Sequence, residues 1–380
     1  MAQTWADYRL GTYNAAVNSV APAAIDYTAL AGDIKSWARE LGFADAGITG
    51  TALDEDEAHL NRWLGQGYHG QMEYMARHGS KRTRPAELAP GTQRVICVRM
   101  DYAAAPDTRE AWTVLRDGEA AYVSRYALGR DYHKLMRSRL QKLAERIHAV
   151  VGEFGYRAFV DSAPVMEKAL ARNAGLGWVG KHTVLINRDA GSYFFLGELY
   201  TDLPLPTDPP AVEHCGTCTR CITACPTGAI VGPYQLNAKR CISYLTIELK
   251  GSIPEDLRAP MGNRIFGCDD CQLVCPWNKF AQVATEADFA PRHSLDGARL
   301  AELFSWSEEE FLKRTEGMAI RRAGYEGWLR NIAVALGNAP PSAAVRGALH
   351  SRAGDASAVV REHVAWALQR QADNVATAES

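Results

Sequence analysis

The stretch that decides the fold contains eight cysteines and lies between residues 215 and 276. It begins with Cys215-Gly-Thr-Cys218-Thr-Arg-Cys221-Ile-Thr-Ala-Cys225-Pro226, which is C-x2-C-x2-C-x3-C-P. After Cys241 it ends with Cys268-Asp-Asp-Cys271-Gln-Leu-Val-Cys275-Pro276, the last three-quarters of the same motif. In this pattern three closely spaced thiolates bind one iron–sulfur cube, and the cysteine before proline reaches the other cube. The stretch therefore predicts a ferredoxin-like domain with two 4Fe-4S clusters.

The spacing also predicts how the thiolates divide between the cubes. Cluster 1 takes Cys215, Cys218, Cys221 and Cys275, and cluster 2 takes Cys225, Cys241, Cys268 and Cys271. Two zinc knuckles are one alternative, but they leave the C-x3-C-P closures unexplained. A disulfide framework is another, and it suits a small secreted protein more than a chain of 380 residues whose start does not resemble a signal peptide. The ninth cysteine, Cys97, lies in an apolar run and is predicted to be a buried strand residue.

Composition limits the class of protein. An apolar fraction of 47% and a charged fraction of 23% are typical of a globular protein, and no run approaches the roughly 18 apolar residues of a membrane span. Oxygen-sensitive clusters without an export signal predict the cytoplasm, and we expect a monomer. The formal net charge of -2 gives no overall sign of a nucleic-acid partner, so such a partner must be argued from local patches.

The chain is predicted to have four parts. They are an accessory segment at 1–25, an α/β (α+β) catalytic domain at 26–210, the ferredoxin-like domain at 211–290, and an all-α segment at 291–380. In the last part, residues 328–337 and 360–368 carry similar sequences on predicted helices. Such self-similarity indicates stacked helix pairs of the HEAT type, although two copies are also compatible with ordinary core helices.

Two basic stretches are candidates for anion binding. The loop at 78–85 contains three cations, and the predicted helix at 134–150 has five basic side chains opposite one acid, Glu145. Most charged stretches are simply solvated, but the imbalance on the helix suggests a nearby phosphate backbone.

Asp161 follows a predicted strand at 157–160 and precedes a predicted helix at 165–173, with Pro164 in its first turn. Such an acid either performs chemistry or caps the helix. The next loop has the pattern Gly175-x-Gly177-x-x-Gly180, which resembles a dinucleotide fingerprint. Here a helix precedes the glycines and a strand at 183–187 follows them, which is the reverse of the required order, so we reject an NAD site. The glycines instead suggest a close approach of the backbone to something flat and bulky.

The chain as a whole, from about residue 27 onwards, resembles the epoxyqueuosine reductase family. The resemblance lies in residues 160–168, 175–181, 191–198 and 235–245, together with the cysteine arrangement. It implies reduction of epoxyqueuosine to queuosine at the wobble position of tRNA, the last step of queuosine biosynthesis. It further implies cobalamin as a cofactor, with electrons passing to it from the two clusters and ultimately from an unidentified low-potential donor.

The resemblance also assigns roles to residues. Asp161 is the implied proton donor to the departing epoxide oxygen, with Asp131 and His133 as the second choice. The implied cobalamin contacts are Arg82, Ser124, Asp161, Met166, Lys181, Leu185, Leu196, Ser243 and the backbone of Cys268 and Asp269. Ser124 stands where some family members carry cysteine, which makes a thiolate on cobalt doubtful here. The tRNA contacts suggested by charge are Arg137, Arg139, Lys142, Arg322 and Arg330.

Two other functions stay open from the sequence. A related corrinoid reductase of small molecules would bind no tRNA, and its C-terminal basic side chains would have no partner. A ferredoxin-like electron carrier would take up no cobalamin, and its electron transfer would not depend on Asp161.

Overall fold

The computed structural model describes residues 25–104 and 109–379. All of the predicted accessory segment except Ile25 lies outside the described residues. The strands are β1 Asp45–Thr49, β2 Arg94–Asp101, β3 Tyr122–Val123, β4 Tyr156–Phe159, β5 Trp178–Val179, β6 Leu185–Ile186, β7 Phe194–Thr201, β8 Ile230–Gly232, β9 Gln235–Leu236 and β10 Arg264–Phe266.

The helices cover most of the remaining chain. The α-helices are α1 Tyr27–Glu40, α2 Asp54–Gly65, α3 Pro85–Leu88, α4 Arg109–Arg116, α5 Tyr132–Val151, α6 Glu167–Asn173, α7 Arg220–Thr223, α8 Ile242–Ile247, α9 Glu255–Arg258, α10 Asp270–Leu273, α11 Leu300–Ser305, α12 Glu308–Arg314, α13 Gly324–Asn338, α14 Ala343–Ser351 and α15 Ala358–Glu379. Short 3-10 helices lie at Glu73–Met75, Gly79–Arg82, Arg125–Ala127, Ala238–Arg240, Pro276–Phe280, Ala287–Phe289 and Ala319–Ala323.

A four-stranded antiparallel sheet of order β1-β2-β7-β4 forms the centre of the N-terminal part. Successive side chains of a strand point to opposite faces, so β2 and β7 supply two cores. Ile96 and Leu199 face α1 and α5, whereas Cys97 and Leu196 face α6. Cys97 is fully buried in β2, which confirms its prediction as a strand residue.

The segment around Asp161 differs from its prediction. Helix α6 begins at Glu167 rather than at residue 165, and Pro164 lies before the helix. The cause is local: Asp161 has a left-handed φ of 44°, and the amide of Val165 donates to the carbonyl of Ala163, so a tight turn precedes the helix. Asp161 is consequently not a cap of α6, whose N-terminal residue Met166 makes no side-chain capping bond.

Two of the three glycines after α6 lie against the backbone of other residues. Gly177 has a φ of 154°, and a Cβ there would lie 2.3 Å from the carbonyl oxygen of Ile186. A Cβ on Gly175 would lie 2.8 Å from the carbonyl oxygen of Pro209. The close approach is therefore to neighbouring backbone, chiefly within the β5–β6 hairpin. The predicted strand at 183–187 is reduced to β6.

The predicted parts of the chain share their hydrophobic cores. Val123 in β3 pairs in parallel with Phe266 in β10, and both belong to the core that the C-terminal helices form. Helices α13 and α15, which carry the two similar sequences, pack against each other at Gly337, where a Cβ would lie 2.6 Å from Trp366. This packing does not decide between HEAT-type pairs and ordinary core helices.

In the described part of the chain, no helix has the length and apolar character that crossing a membrane requires.

Candidate active site and cluster-binding region

The eight motif cysteines form two groups in space. Burial of the Cys275 thiol and the neighbouring thiols of Cys215, Cys221 and Cys218 together raise its pKa to about 11. In the second group, burial raises the pKa of the Cys271 thiol well above its usual range, and Cys241 and Cys225 are among its charged neighbours. Cys268 has Cys241 and Cys271 as neighbours. The two groups are those that the spacing predicts.

Short helices position these thiols. Helices α7 and α10 pack against each other and carry Cys221 of the first motif and Cys271 of the second. The amide of Ala229 donates to Cys225 Sγ at 3.2 Å, the kind of bond that supports a thiolate bound to iron.

These cysteines fit iron–sulfur clusters. All nine cysteines of the chain are free, which contradicts a disulfide framework. Burial holds the thiols of Cys268 and Cys271 protonated in the protein alone, so their thiolates need positive charge, which iron supplies. Among the described residues no three His, Cys, Asp or Glu side chains could hold one metal ion. Thiolates that each bind a different iron of a cube lie further apart than the ligands of a single ion.

Asp161, His133 and Asp131 form a continuous hydrogen-bonded chain. His133 Nε2 lies 3.2 Å from Asp161 Oδ2, and His133 Nδ1 lies 2.6 Å from Asp131 Oδ1. Asp131 caps α5 by accepting from the amide of His133 at 3.0 Å, which fixes the start of the helix and the imidazole. The Tyr132 hydroxyl also hydrogen-bonds Asp161, and its ring stacks on Phe195 with centroids 3.7 Å apart. The two predicted choices of proton donor are thus one unit.

The charges of this unit are set by its members. Burial favours neutral His133, but hydrogen bonds and charge from Asp131 and Asp161 raise its pKa to about 9. Burial likewise favours protonated Asp161, yet His133, Tyr132 and Arg322 lower the pKa of that carboxyl. At neutral pH the proton is therefore on the imidazole and the Asp161 carboxylate is ionised. Its side chain is 46% exposed, so it is open to a substrate.

The surroundings of Asp161 come from distant parts of the chain. Arg82 is buried, and its guanidinium donates to the carbonyls of Tyr74 at 2.8 Å and Met75 at 3.2 Å. Arg322, from the C-terminal part, forms an ion pair with Glu248 at 2.8 Å and lies over the ring of Tyr74. The exposed Asp161 carboxylate therefore has charged neighbours from both the N-terminal and the C-terminal parts of the chain.

A fully buried carboxyl, Glu198, was not predicted as a functional residue from the residue pattern. It lies in β7 on the face of Cys97 and α6, and neither of its oxygens has a hydrogen-bond partner. Burial raises its pKa well above normal, and Glu167 and Asp161 act in the same direction. Glu167, at the start of α6, has a pKa raised to about 8 by burial and by Asp161. The available signal was an acid within an otherwise apolar strand.

Several predicted cobalamin contacts hold the cluster loops in this structure. Ser124 Oγ donates to Asp269 Oδ1 at 2.5 Å, and the Tyr122 hydroxyl donates to Asp269 Oδ2 at 2.8 Å. Lys181 Nζ donates to the carbonyls of Gly216 at 2.5 Å and Cys218 at 3.1 Å. Ser243 hydrogen-bonds Cys241 of the second group. These bonds connect the catalytic part directly to both cysteine groups.

The remaining predicted contacts are apolar and lie together. Leu185, Leu196 and Met166 belong to one apolar cluster on the α6 side of the sheet. Asp161 lies at one end of this region, and the unpartnered Glu198 carboxyl lies inside it. An apolar wall with a few polar groups is the usual lining of a cofactor site.

The predicted tRNA contacts divide into two sets. Arg137 and Lys142 are exposed on α5. The side chain of Arg322 is half exposed and lies near Asp161. Arg139 is mostly buried, pairs with Glu286 and donates to the carbonyl of Gly42, so its charge is already neutralised.

Arg330 contradicts its prediction. It is only 2% exposed, and its guanidinium donates to the carbonyls of Leu245, Leu249 and Gly251. This side chain fastens α13 to the segment after α8 and cannot reach a nucleic acid.

Comparison with known proteins gives matches along most of the chain. A family model described as epoxyqueuosine reductase QueG, DUF1730, matches residues 82–162, and one described as a 4Fe-4S double cluster binding domain matches residues 214–278. The epoxyqueuosine reductase of Xanthomonas campestris is 67% identical over 343 residues, which are 90% of this chain and 96% of that protein. The Escherichia coli epoxyqueuosine reductase is 58% identical, over 91% of both chains.

Solved structures agree. A crystal structure of epoxyqueuosine reductase with an epoxyqueuosine-modified tRNA-Tyr stem loop has a TM-score of 0.79 and 29% identity, covering 90% of each chain. The Bacillus subtilis enzyme, captured with its catalytic loop swung out of the active site, has a TM-score of 0.81 at 29% identity and the same coverage.

Proposed function

The chain belongs to the epoxyqueuosine reductase family, and from this premise we propose that it reduces epoxyqueuosine to queuosine at the wobble position of tRNA. The observation that carries the proposal is the Asp161–His133 pair, in which an exposed carboxylate is hydrogen-bonded to an imidazole of raised pKa. Tyr126 lies near both Asp161 and the second cysteine group, because the carboxylates of Asp161 and Asp269 both raise its pKa.

The reaction needs electrons and protons in equal number. Converting the epoxide to an alkene breaks two C–O bonds and releases the oxygen as water, which consumes two electrons and two protons. We assign the delivery of protons to Asp161, with His133 as the store: the proton moves from His133 Nε2 to Asp161 Oδ2, and the carboxyl then donates it to the departing oxygen. Asp131 keeps the imidazole oriented and favours its protonated form before this transfer, which leaves the imidazole neutral.

Cobalamin is part of the proposal. When bound, it supplies the low-potential reducing chemistry at the epoxide carbon. Leu185, Leu196 and Met166 would form its apolar wall. Arg82, Ser124, Lys181, Ser243 and Asp269 would act at its edges, in part by fixing the loops that carry the cysteines. The clusters, on the two cysteine groups described above, would relay the electrons.

The partner is a tRNA that carries epoxyqueuosine in its anticodon loop. Its phosphates would contact Arg137 and Lys142 on α5 and Arg322 near Asp161. The modified base would be splayed out towards Asp161. This assignment is supported by the exposure of the cations and by the stem-loop complex of the related enzyme.

The organisation of the chain is proposed on the same basis. The parts are 26–210 for catalysis, 211–290 for the clusters and 291–380 as a HEAT-like segment that supports RNA binding. We propose that the protein acts in the cytoplasm as a monomer.

The decisive experiment is an anaerobic reaction of the cluster-loaded protein with reductant, cobalamin and tRNA carrying epoxyqueuosine, followed by nucleoside mass spectrometry. Loss of one oxygen from the nucleoside, dependent on cobalamin, is the expected result. An unchanged nucleoside with a protein that contains both clusters and cobalamin would reject the proposed substrate.

A further inference from the structure

A cavity of about 620 Å³ is lined by the first cysteine group, by Lys181 and by further residues to which the proposed reaction gives no role. Its wall includes all four cluster 1 cysteines and none of cluster 2. The wall extends beyond the cysteines to His214, Trp277, Phe280 and four cations, of which Lys181 is buried and three are exposed. An iron–sulfur cube needs the thiolates alone, so these further side chains require another explanation.

The rim of this cavity is positively charged although the chain as a whole has a formal net charge of -2. Arg188, Arg220 and Lys279 are exposed there, and Asp189 is the one carboxylate among the described lining residues. None of the three cations forms an ion pair within the described residues. Unpaired cations around a concave surface create a field that attracts an acidic partner and raises its association rate.

Aromatic side chains form the centre of the same surface. Trp277, two residues after Cys275, packs edge-on against Trp178 with centroids 5.0 Å apart and lies 6.0 Å from the ring of Phe280. The Phe280 side chain is 40% exposed, and Lys279 Nζ lies 4.7 Å from its centroid. An aromatic centre with a charged rim is the usual anatomy of a protein-binding surface.

The order of the two cysteine groups gives the surface a direction. Asp269, which follows Cys268 of the second group, accepts a hydrogen bond from Ser124 of the N-terminal part, whereas the first group lines the cavity with the exposed cations. We propose that this cavity rim is the docking site of a small acidic one-electron carrier protein, which reduces cluster 1. In each encounter the carrier is oxidised by one electron and cluster 1 is reduced by one. No bond is made or broken. The inference rests on the proposed function only in that the proposed reaction consumes electrons, which the clusters must receive from a donor.

The test measures cluster reduction and requires neither cobalamin nor tRNA. Cluster-loaded protein is mixed anaerobically with reduced flavodoxin, as the acidic carrier, and bleaching of the cluster absorbance is followed by stopped flow. We expect Arg188→Glu/Lys279→Glu to lower the second-order rate constant at low salt by about tenfold or more and to remove its decrease with ionic strength. The matched control is Arg62→Glu/Arg116→Glu, two exposed cations outside the cavity, with no expected change.

Reduction by photoreduced deazaflavin, a small molecule that needs no docking surface, should be equal in all variants. If the Glu variant loses iron, Arg188→Gln/Lys279→Gln decides instead. An unchanged flavodoxin rate constant in a variant with full cluster content would overturn the proposal. A slow rate that is equal in the control variant would overturn it too. The test measures reduction of the clusters. Its result therefore does not depend on whether the protein reduces epoxyqueuosine in tRNA.

Discussion

His133 Nε2 lies 3.2 Å from Asp161 Oδ2 across 28 residues of chain, and the two side chains hold opposite charges at neutral pH. The exposed Asp161 carboxylate is thus ionised, and the proton that it would deliver is held by His133, one hydrogen bond away. Because one group holds the proton and the other would pass it on, proton delivery depends on both of them.

Replacement of Asp161 by asparagine is expected to remove proton delivery while leaving the fold and the clusters intact. Asp161→Asn should lower the single-turnover rate of epoxyqueuosine reduction about 10²- to 10⁴-fold, the usual contribution of a positioned acid. Nucleoside mass spectrometry measures the rate, and iron analysis verifies the clusters. The adjacent Ser162→Ala is the control. A rate within about threefold of the unmodified protein would exclude Asp161 as the donor.

The pKa of His133, about 9, predicts a loss of activity in alkaline solution. The rate should be constant near pH 7 and fall as the pH rises through about 9, since the stored proton is lost there. His133→Gln should have a low rate without this decline. A decline at the same pH in His133→Gln would assign it to another group.

The same shift predicts a stability effect. The pKa of His133 is higher in the folded than in the unfolded protein, whose value is about 6.5. Its stabilising effect is therefore fully present below pH about 6.5 and is lost as the pH rises through about 9. Thermal unfolding of His133→Gln should accordingly show a weaker fall in Tm between these pH values.

Because of Glu198, the protein is expected to become less stable as the pH rises above about 4.3, the usual pKa of a glutamate. Its folded-state pKa is raised by burial, so the folded protein binds more protons than the unfolded one above pH about 4.3. Stability that is present below that pH is lost as the pH increases. Glu198→Gln should reduce this slope of Tm against pH, whereas the exposed control Glu145→Gln should not. Identical slopes would show that Glu198 is paired in the folded protein.

A comparison of two cysteines tests the cluster assignment. Cys275→Ser should lose about half of the iron and the cluster 1 signal in electron paramagnetic resonance, because one corner of that cube loses its thiolate. Cys97→Ser, at the buried cysteine of β2, should retain both clusters even if it is less stable. Full iron content in Cys275→Ser would refute the assignment.

The exposed cations of α5 are predicted to bind RNA phosphates. Arg137→Glu/Lys142→Glu should weaken binding of an anticodon stem loop and reduce the slope of log K against log salt by about two, one for each lost phosphate contact. Filter binding at several salt concentrations measures both quantities. Arg62→Glu/Arg116→Glu is the charge-matched control, and an unchanged slope in the α5 variant would exclude this face.

Local sequence patterns predicted several elements well. Helix α5 was expected close to its observed bounds and Cys97 was expected in a buried strand, because periodic or continuous apolar residues dominate the two segments. The tight turn before α6 was missed, because Pro164 is also common in the first turn of a helix and the left-handed φ of Asp161 is rare for a residue with a side chain. The tRNA prediction for Arg330 was wrong for a related reason. A cation on a helix reads the same in sequence whether it faces water or three backbone carbonyls.

By itself, the sequence determined the cysteine grouping and the family, because thiolate spacing within a cube is set by covalent geometry and is written locally in the motif. The tertiary structure decided which side chains meet. It joined Asp131, His133 and Asp161 into one proton store, buried Glu198 without a partner, and gave the first cysteine group an outward cavity with a basic rim. These properties arise from burial and charge among residues far apart in the chain, and burial and charge exist only once the chain is packed.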